Sequence, residues 1–172
     1  MLGNDHKLAE KAQNKKGDRM ELLILSFYDE QEIVELERCE GESLVFSKEE
    51  QTFQATYFNV RMNEEAYAKA CGYLNDAKVI QVEADPQSNL SQPVPLYIFV
   101  DGELLQKKLI EQGVSEIAIR NPEYLYEKEM EAAETEVVMA RVNEESFADH
   151  RQSDYFYIPL LIVISCFLNT TK

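Results

Sequence analysis

Few residues of this 172-residue chain have the types and spacing that chemistry requires. Its three cysteines, Cys39, Cys71 and Cys166, are odd in number and far apart, without the close spacing of a metal-binding pair. The two histidines, His6 and His150, lie near the ends of the chain, which disfavours a Ser/His/Asp triad within a central domain. We therefore expect inert, buried thiols in an intracellular, reducing compartment, and neither a disulfide framework nor a zinc site.

The charge of the chain points away from phosphate-binding chemistry. There are 32 acidic against 17 basic side chains, a formal net charge of −15, and residues 33–140 alone hold 21 acids and 9 bases. The six glycines are scattered and form no phosphate-cradling GxGxxG or GxxxxGK string. Because such an acidic surface repels phosphate, nonspecific nucleic-acid binding through a basic face is disfavoured.

The elements that would position any site alternate between strands and helices. Period-two patterns and apolar runs predict five short strands, and Asn63 is a plausible N-cap for a helix that follows the third. The predicted strands are 33–39, 43–46, 52–60, 78–84 and 96–100, and two further helices are predicted at 103–112 and from Asn121 onward. This order predicts an α+β fold, mainly a β barrel: an OB-type, five-stranded Greek-key barrel with three helices.

The composition divides the chain into four parts. Residues 1–32 form an N-terminal arm with a short apolar run at 21–28, which pattern alone leaves open as a strand, a helical turn or a membrane-proximal segment. Residues 33–140 form the barrel domain, 141–154 a polar linker and 155–172 an apolar C-terminal tail.

Several strings within the barrel domain match those of a known family in order and spacing. They are Glu40–Leu44 (EGESL, against D-G-D-T-V), Phe53-Gln54, Asn75–Glu83, Leu96–Gly102 and Gln112-Gly113. With these strings, residues 33–140 resemble the staphylococcal nuclease (thermonuclease) domain. The resemblance implies an OB-type barrel, and members of that family hydrolyse phosphodiesters with a calcium ion, a carboxylate acting through water and two arginines on the phosphate.

The resemblance places the calcium ligands on three residues. The first calcium carboxylate falls on Glu42, a longer acid that remains a candidate metal ligand. The second falls on Asn59, whose neutral oxygen is a weaker ligand. The backbone carbonyl donor falls on Val60, where the side chain is not critical.

The residues that would act on the phosphate are mostly replaced. The first phosphate arginine falls on Gln54 and the second near Pro93, in a loop without Arg or Lys. The general base falls on Met62, and a two-residue slip would bring Glu64 there instead. Removing a single oxyanion-stabilising donor costs about 10²–10³ in rate, so these replacements argue against the family's activity.

Two nearby cations, Arg38 and Arg61, are candidate substitutes for phosphate contacts. Arg38 follows the alternation of Val34 and Leu36, which predicts a position at the barrel rim. A surface ion pair with neighbouring glutamates is the favoured interpretation of both arginines.

Aromatic side chains in the strands allow a second interpretation. Tyr57, Phe58, Tyr97 and Phe99 have the chemistry for stacking on single-stranded bases. A stacking platform normally lies in a basic groove, however, and here the domain is strongly acidic. We therefore expect these rings in the core.

The C-terminal segment Tyr155–Leu168 contains 14 uncharged, mostly apolar residues. It is shorter than the roughly 20 residues of a spanning helix, and Pro159 disfavours a straight one. Burial in a membrane or a partner and packing within the chain therefore stay open as alternatives.

These observations predict a catalytically inactive nuclease-like domain that serves as a protein-interaction or scaffold module, with possible membrane tethering through its tail. No cofactor is expected, and calcium binding is disfavoured although it belongs to one of the alternatives below. The alternatives are a weak calcium-dependent phosphodiesterase using Glu42, Asn59 and Glu64, and a single-stranded nucleic-acid binder.

Overall fold

The computed structural model describes residues 20–28, 30–89 and 91–154, the last twelve of these by their backbone alone. The strands are β1 Glu32–Glu40, β2 Ser43–Lys48, β3 Gln51–Tyr57, β4 Val60–Met62, β5 Ile80–Glu83, β6 Val94–Val100, β7 Glu103–Leu104 and β8 Ser115–Ile117. The helices are α1, residues 20–26, then α2 Glu64–Asp76, α3 Leu105–Glu111 and α4 Glu127–Asp154. The chain divides into two compact units, and the boundary between them lies between Glu134 and Thr135, inside α4.

Five strands of the first unit close into a barrel. β1 pairs antiparallel with β2 and β5, β2 with β3, and β5 with β6, and a parallel pairing of β3 with β6 completes the ring. α2 connects β3 and β4 to β5. The predicted α+β, OB-type five-stranded barrel is confirmed. β4 and β8 form a separate two-stranded sheet, and the described residues contain four helices instead of the three predicted.

The predicted alternation of buried and exposed side chains is observed in β3. In β3 the side chains of Phe53, Ala55 and Tyr57 are buried, as predicted, and Gln54 is exposed. β6 is buried on both faces. Its Leu96, Ile98 and Val100 belong to the barrel core, whereas Tyr97 and Phe99 belong to a second apolar cluster with Met130 and Ala133 of α4.

The short apolar run after the N-terminal arm is part of this core. Of the three alternatives for residues 21–28, the structure gives a helix, and Ile24 and Phe27 pack into the barrel. Phe27 is fully buried, and its carbonyl oxygen accepts a hydrogen bond from the Ala84 N–H at 2.7 Å. Residues 21–28 therefore pack over the barrel and add side chains to its core.

A bulge in β1 overturns the alternation predicted for Arg38. The register with β2 slips between Leu36 and Arg38, so that Glu37 is the extra residue. Since a one-residue slip exchanges the two faces of a strand, Arg38 is exposed and Cys39 turns toward the core.

The helix boundaries also differ from prediction. Glu103 belongs to a short strand instead of the second helix, and it pairs with Lys108 at 2.7 Å. The third predicted helix begins at Glu127, after a turn that starts at Asn121. Residues 141–154, the predicted linker, continue α4.

A disulfide bond joins Cys39 of β1 to Cys71 of α2, with the Cα atoms 5.5 Å apart. The expectation of free, inert thiols at these two positions was therefore wrong. The two cysteines are 32 residues apart in sequence, and their proximity depends on how α2 folds back on β1. Cys166 lies outside the described residues.

Candidate functional site

The barrel brings together the two positions that the resemblance gives to phosphate arginines. Gln54 directly precedes Ala55 of β3 and Pro93 directly precedes Val94 of β6, and Ala55 is paired with Val94. Both Gln54 and Pro93 are exposed. Neither an amide nor a pyrrolidine ring supplies the bidentate cation that suits a phosphate.

Glu42 is exposed in the turn between β1 and β2, next to Gly41 with φ of 57°. Its polar neighbour is Tyr67 of α2. Burial raises the pKa of the Tyr67 hydroxyl, and the Glu42 carboxylate adds to the rise. Glu42 thus faces a neutral phenol that can donate a hydrogen bond to it.

Asn59 is buried, and both ends of its side-chain amide are hydrogen-bonded. Its Oδ1 accepts the Ile119 N–H at 2.9 Å, and its Nδ2 donates to Glu127 at 3.1 Å. Its backbone carbonyl accepts the Ala118 N–H at 3.1 Å, and its φ of 55° is a conformation that Asn tolerates. The residue ties the end of β3 to the segment after β8 and to the start of α4.

The remaining three positions that the resemblance assigns to the site, Val60, Met62 and Glu64, have roles in the local structure. Val60 and Met62 are partly buried in β4, paired with Ile117 and Ser115 of β8. Glu64 is exposed in the first turn of α2, where Asn63 accepts the Ala66 N–H at 2.8 Å and confirms the predicted N-cap. A carboxylate there is stabilised by the helix dipole.

Of the two candidate cations, Arg61 forms the favoured surface ion pair. Its guanidinium lies 3.2 Å from Glu116 and also donates to the carbonyl of Ala118 at 3.4 Å. Both side chains of the pair are mostly exposed, so its contribution to stability is small.

Two buried carboxylates near this region had no distinctive sequence signal. Asp85 is fully buried and accepts hydrogen bonds from the Tyr97 hydroxyl at 3.2 Å and the Leu125 N–H at 3.0 Å. Glu127 accepts the Asn121 N–H at 3.1 Å, and burial raises the pKa of this carboxyl. Sequence alone placed Asp85 in an ordinary loop, because Asp is common in turns.

The aromatic side chains form a packed group. Phe58 meets Tyr97 and Tyr124 edge to face, with ring centroids 5.1 and 5.0 Å apart, and Tyr126 meets Tyr97 and Phe99 at 4.7 and 5.4 Å. Burial raises the pKa of Tyr126 to about 12. Tyr57, Tyr97 and Phe99 are buried, as predicted, and Phe58 is partly buried. These rings stabilise the core by contacts among themselves.

Within the described ranges, no group of three or more His, Cys, Asp or Glu side chains is arranged to hold a metal ion. In the same part of the chain, no helix has the length and apolar character needed to cross a membrane. The predicted tail, Tyr155–Leu168, lies outside that part.

No protein-family model matches this chain, and no curated protein matches it.

Proposed function

We propose that the barrel is a nuclease-like domain without phosphodiesterase activity, and that it serves as a protein-interaction or scaffold module. Asn59 carries this proposal. By the resemblance it falls at the position of the second calcium carboxylate, and both ends of its amide are hydrogen-bonded, to Ile119 and Glu127. A cation would have to reach a buried oxygen that already accepts a backbone N–H and holds the fold together.

The two positions that the resemblance gives to phosphate arginines support the same proposal. Gln54 and Pro93, which precede the paired residues Ala55 and Val94, are uncharged, and Arg61 is paired with Glu116. A transferring phosphoryl group needs cations aimed at its developing charge. The excess of acids over bases in residues 33–140 further weakens attraction of a polyanion.

The interaction role is supported by apolar side chains left on the surface of the first unit. Ile33 and Ile119 are 63% and 61% exposed. An exposed apolar side chain leaves water when a protein partner covers it, and it offers no polar group to a phosphate backbone. In this proposal, the tail Tyr155–Leu168 attaches the domain to a membrane or to a partner.

An assay of the full-length protein with calcium and single-stranded DNA tests the loss of activity. We expect no change in melting temperature with millimolar Ca²⁺ and no cleavage. The matched variant Gln54→Arg restores one cation on an exposed site and should increase oligonucleotide binding at low salt without producing cleavage. Calcium-dependent cleavage by the wild-type chain would contradict the proposal in favour of a weak phosphodiesterase.

The interaction role needs a separate experiment. A photocrosslinking residue is placed at the exposed Ile119 or, as the control, at Glu50, which is exposed in the turn before β3. We expect a discrete protein adduct from position 119 in cells and none from position 50. An adduct from position 119 that nuclease digestion removes would favour the single-strand binder.

A further inference from the structure

The loop between β5 and β6 contains an acceptor sequence for N-linked glycosylation. Asn89 is followed by Leu90 and Ser91, which is the Asn-x-Ser pattern with a residue other than proline in the middle. Asn89 and Ser91 are both exposed. A second such pattern, Asn169-Thr170-Thr171, lies outside the described residues.

The residues beside Asn89 hold it at the surface. The Ser91 N–H donates to Asn89 Oδ1 at 3.2 Å, a bond that does not involve the amide nitrogen, the atom to which an N-linked sugar attaches. On the other side, the Tyr28 hydroxyl donates to the Ser88 carbonyl at 2.7 Å, and the Ser88 N–H donates to the Asp85 carbonyl at 2.9 Å. The acceptor therefore follows a well-anchored turn.

A groove of about 590 Å³ separates Asn89 and Ser91 from helix α1. Its opposite wall includes Ile24, Leu25 and Tyr28, and Leu25 is 48% exposed. Binding sites for small molecules have volumes of roughly 300–1,000 Å³, so one sugar residue fits. The apolar face of a pyranose ring would cover part of this exposed apolar surface.

The Cys39–Cys71 disulfide is independent support. Structural disulfides form and persist in oxidising compartments, such as the lumen of the endoplasmic reticulum. N-linked oligosaccharides are attached in that same compartment. An oxidising lumen would thus suit both the disulfide and the use of the exposed acceptor, unlike the reducing compartment expected from sequence.

We propose that Asn89 carries an N-linked glycan, and that its first N-acetylglucosamine packs against Leu25 and Tyr28. The donor is a lipid-linked oligosaccharide diphosphate. The bond between sugar C1 and the diphosphate oxygen breaks, with the electron pair leaving on the diphosphate. A bond forms between C1 and Asn89 Nδ2, and one Nδ2 proton passes to a base of the transferase. This inference does not depend on the proposed function.

The test uses the full chain expressed in eukaryotic cells, with a glycan-removing amidase and peptide mass spectrometry. We expect a one-glycan mobility step that the amidase abolishes, with conversion of Asn89 to Asp. Asn89→Gln and Ser91→Ala should lose the step, whereas Ser91→Thr and Asn169→Gln should keep it. A peptide with unmodified Asn89, or a step that survives N89Q and disappears in N169Q, overturns the proposal.

A second measurement tests the packing of the sugar. The glycosylated wild type should melt at a higher temperature than the same protein after amidase treatment. Leu25→Ser should keep the glycan and lose this difference, because the apolar contact is removed. An equal difference in wild type and L25S would overturn the assigned contact.

Discussion

At the scale of single residues, buried polar side chains in this protein complete the hydrogen bonding of the backbone. Gln106 of α3 is fully buried; its Nε2 donates to the Leu96 carbonyl at 2.8 Å, and its Oε1 accepts the Ile98 N–H at 3.2 Å. The side chain thus replaces a strand partner along β6. Gln is usually exposed, so residue type gave no indication of this role.

Replacing Gln106 with Ala should lower the free energy of unfolding by about 1–3 kcal/mol, because the buried Ile98 N–H loses the Gln106 oxygen and the Leu96 carbonyl keeps only the Phe58 N–H. Urea denaturation monitored by circular dichroism measures the change. The control is Gln54→Ala, at an exposed position, which should stay within about 0.5 kcal/mol of wild type. Similar midpoints for the two variants would contradict this role for Gln106.

Asn59 illustrates why a candidate site is harder to predict than a fold. The pattern placed it inside the third strand, 52–60, whereas it lies in the turn between β3 and β4 with a φ of 55°. Its oxygen suits either a cation or a backbone N–H. Its actual partners, Ile119 and Glu127, lie 60 and 68 residues further along the chain. Only the folded arrangement distinguishes the two uses.

At the scale of elements, the disulfide fastens α2 to the barrel. Cys71 lies on the helix whose Ala66, Ala70 and Leu74 are buried, and Cys39 lies just after the β1 bulge. Covalent attachment and apolar packing therefore act on the same helix. The bulge contributes to this arrangement because it turns Cys39 inward.

Reduction of the Cys39–Cys71 bond should destabilise the protein by about 3 kcal/mol, mainly by releasing a constraint on the unfolded chain. Urea unfolding with and without a thiol-free reductant measures this. The double variant Cys39→Ser/Cys71→Ser should unfold near the midpoint of the reduced wild type and respond no further to reductant. A reductant-independent midpoint for the wild type would count against a stabilising bond.

Helix α1 provides a second test at this scale. Phe27 is fully buried against Phe53, with ring centroids 5.1 Å apart, whereas Leu22 is 67% exposed. Phe27→Ala should cost about 3–5 kcal/mol through lost burial and a cavity. Leu22→Ala should change stability by less than about 0.5 kcal/mol. Equal, small effects in chemical denaturation would mean that α1 does not contribute to the folded barrel.

At the scale of the whole molecule, the net charge of −15 is a cost to the compact state. Several ion pairs reduce this repulsion locally, among them Lys48 with Glu32 and Arg120 with Glu131 and Glu134. They cannot neutralise the excess, because acids outnumber bases nearly two to one. Like-charge repulsion therefore acts across the molecule.

Added salt should raise the melting temperature, because the screening length falls from about 30 Å at 0.01 M to about 3 Å at 1 M. We expect a rise of a few degrees between these concentrations of sodium chloride, measured by calorimetry. Glu35→Gln, which removes one exposed acid, should reduce the salt dependence. A melting temperature that falls with salt would show that attractive pairs dominate.

The amino-acid sequence by itself determined the parts of this protein that depend on neighbouring residues. Alternation predicted the buried face of β3, the Asn63 cap predicted where α2 begins, and the order of elements predicted the OB-type barrel. The first two follow from residues that are close together in the sequence, and the third from the order of the elements predicted in this way. The resemblance to a nuclease family, and the loss of activity inferred from it, remain proposals.

Only the tertiary structure decided the pairing of Cys39 with Cys71, the bulge at Glu37 and the partners of Asn59 and Asp85. These features depend on segments that meet after folding, and no local pattern specifies which distant group a cysteine, an amide or a carboxylate will meet. A bulge also shifts the register of a strand by one residue, so the residues beyond it face the side opposite to the one that alternation predicts. The same physical reason separates the barrel, which was predictable, from the site, which was not.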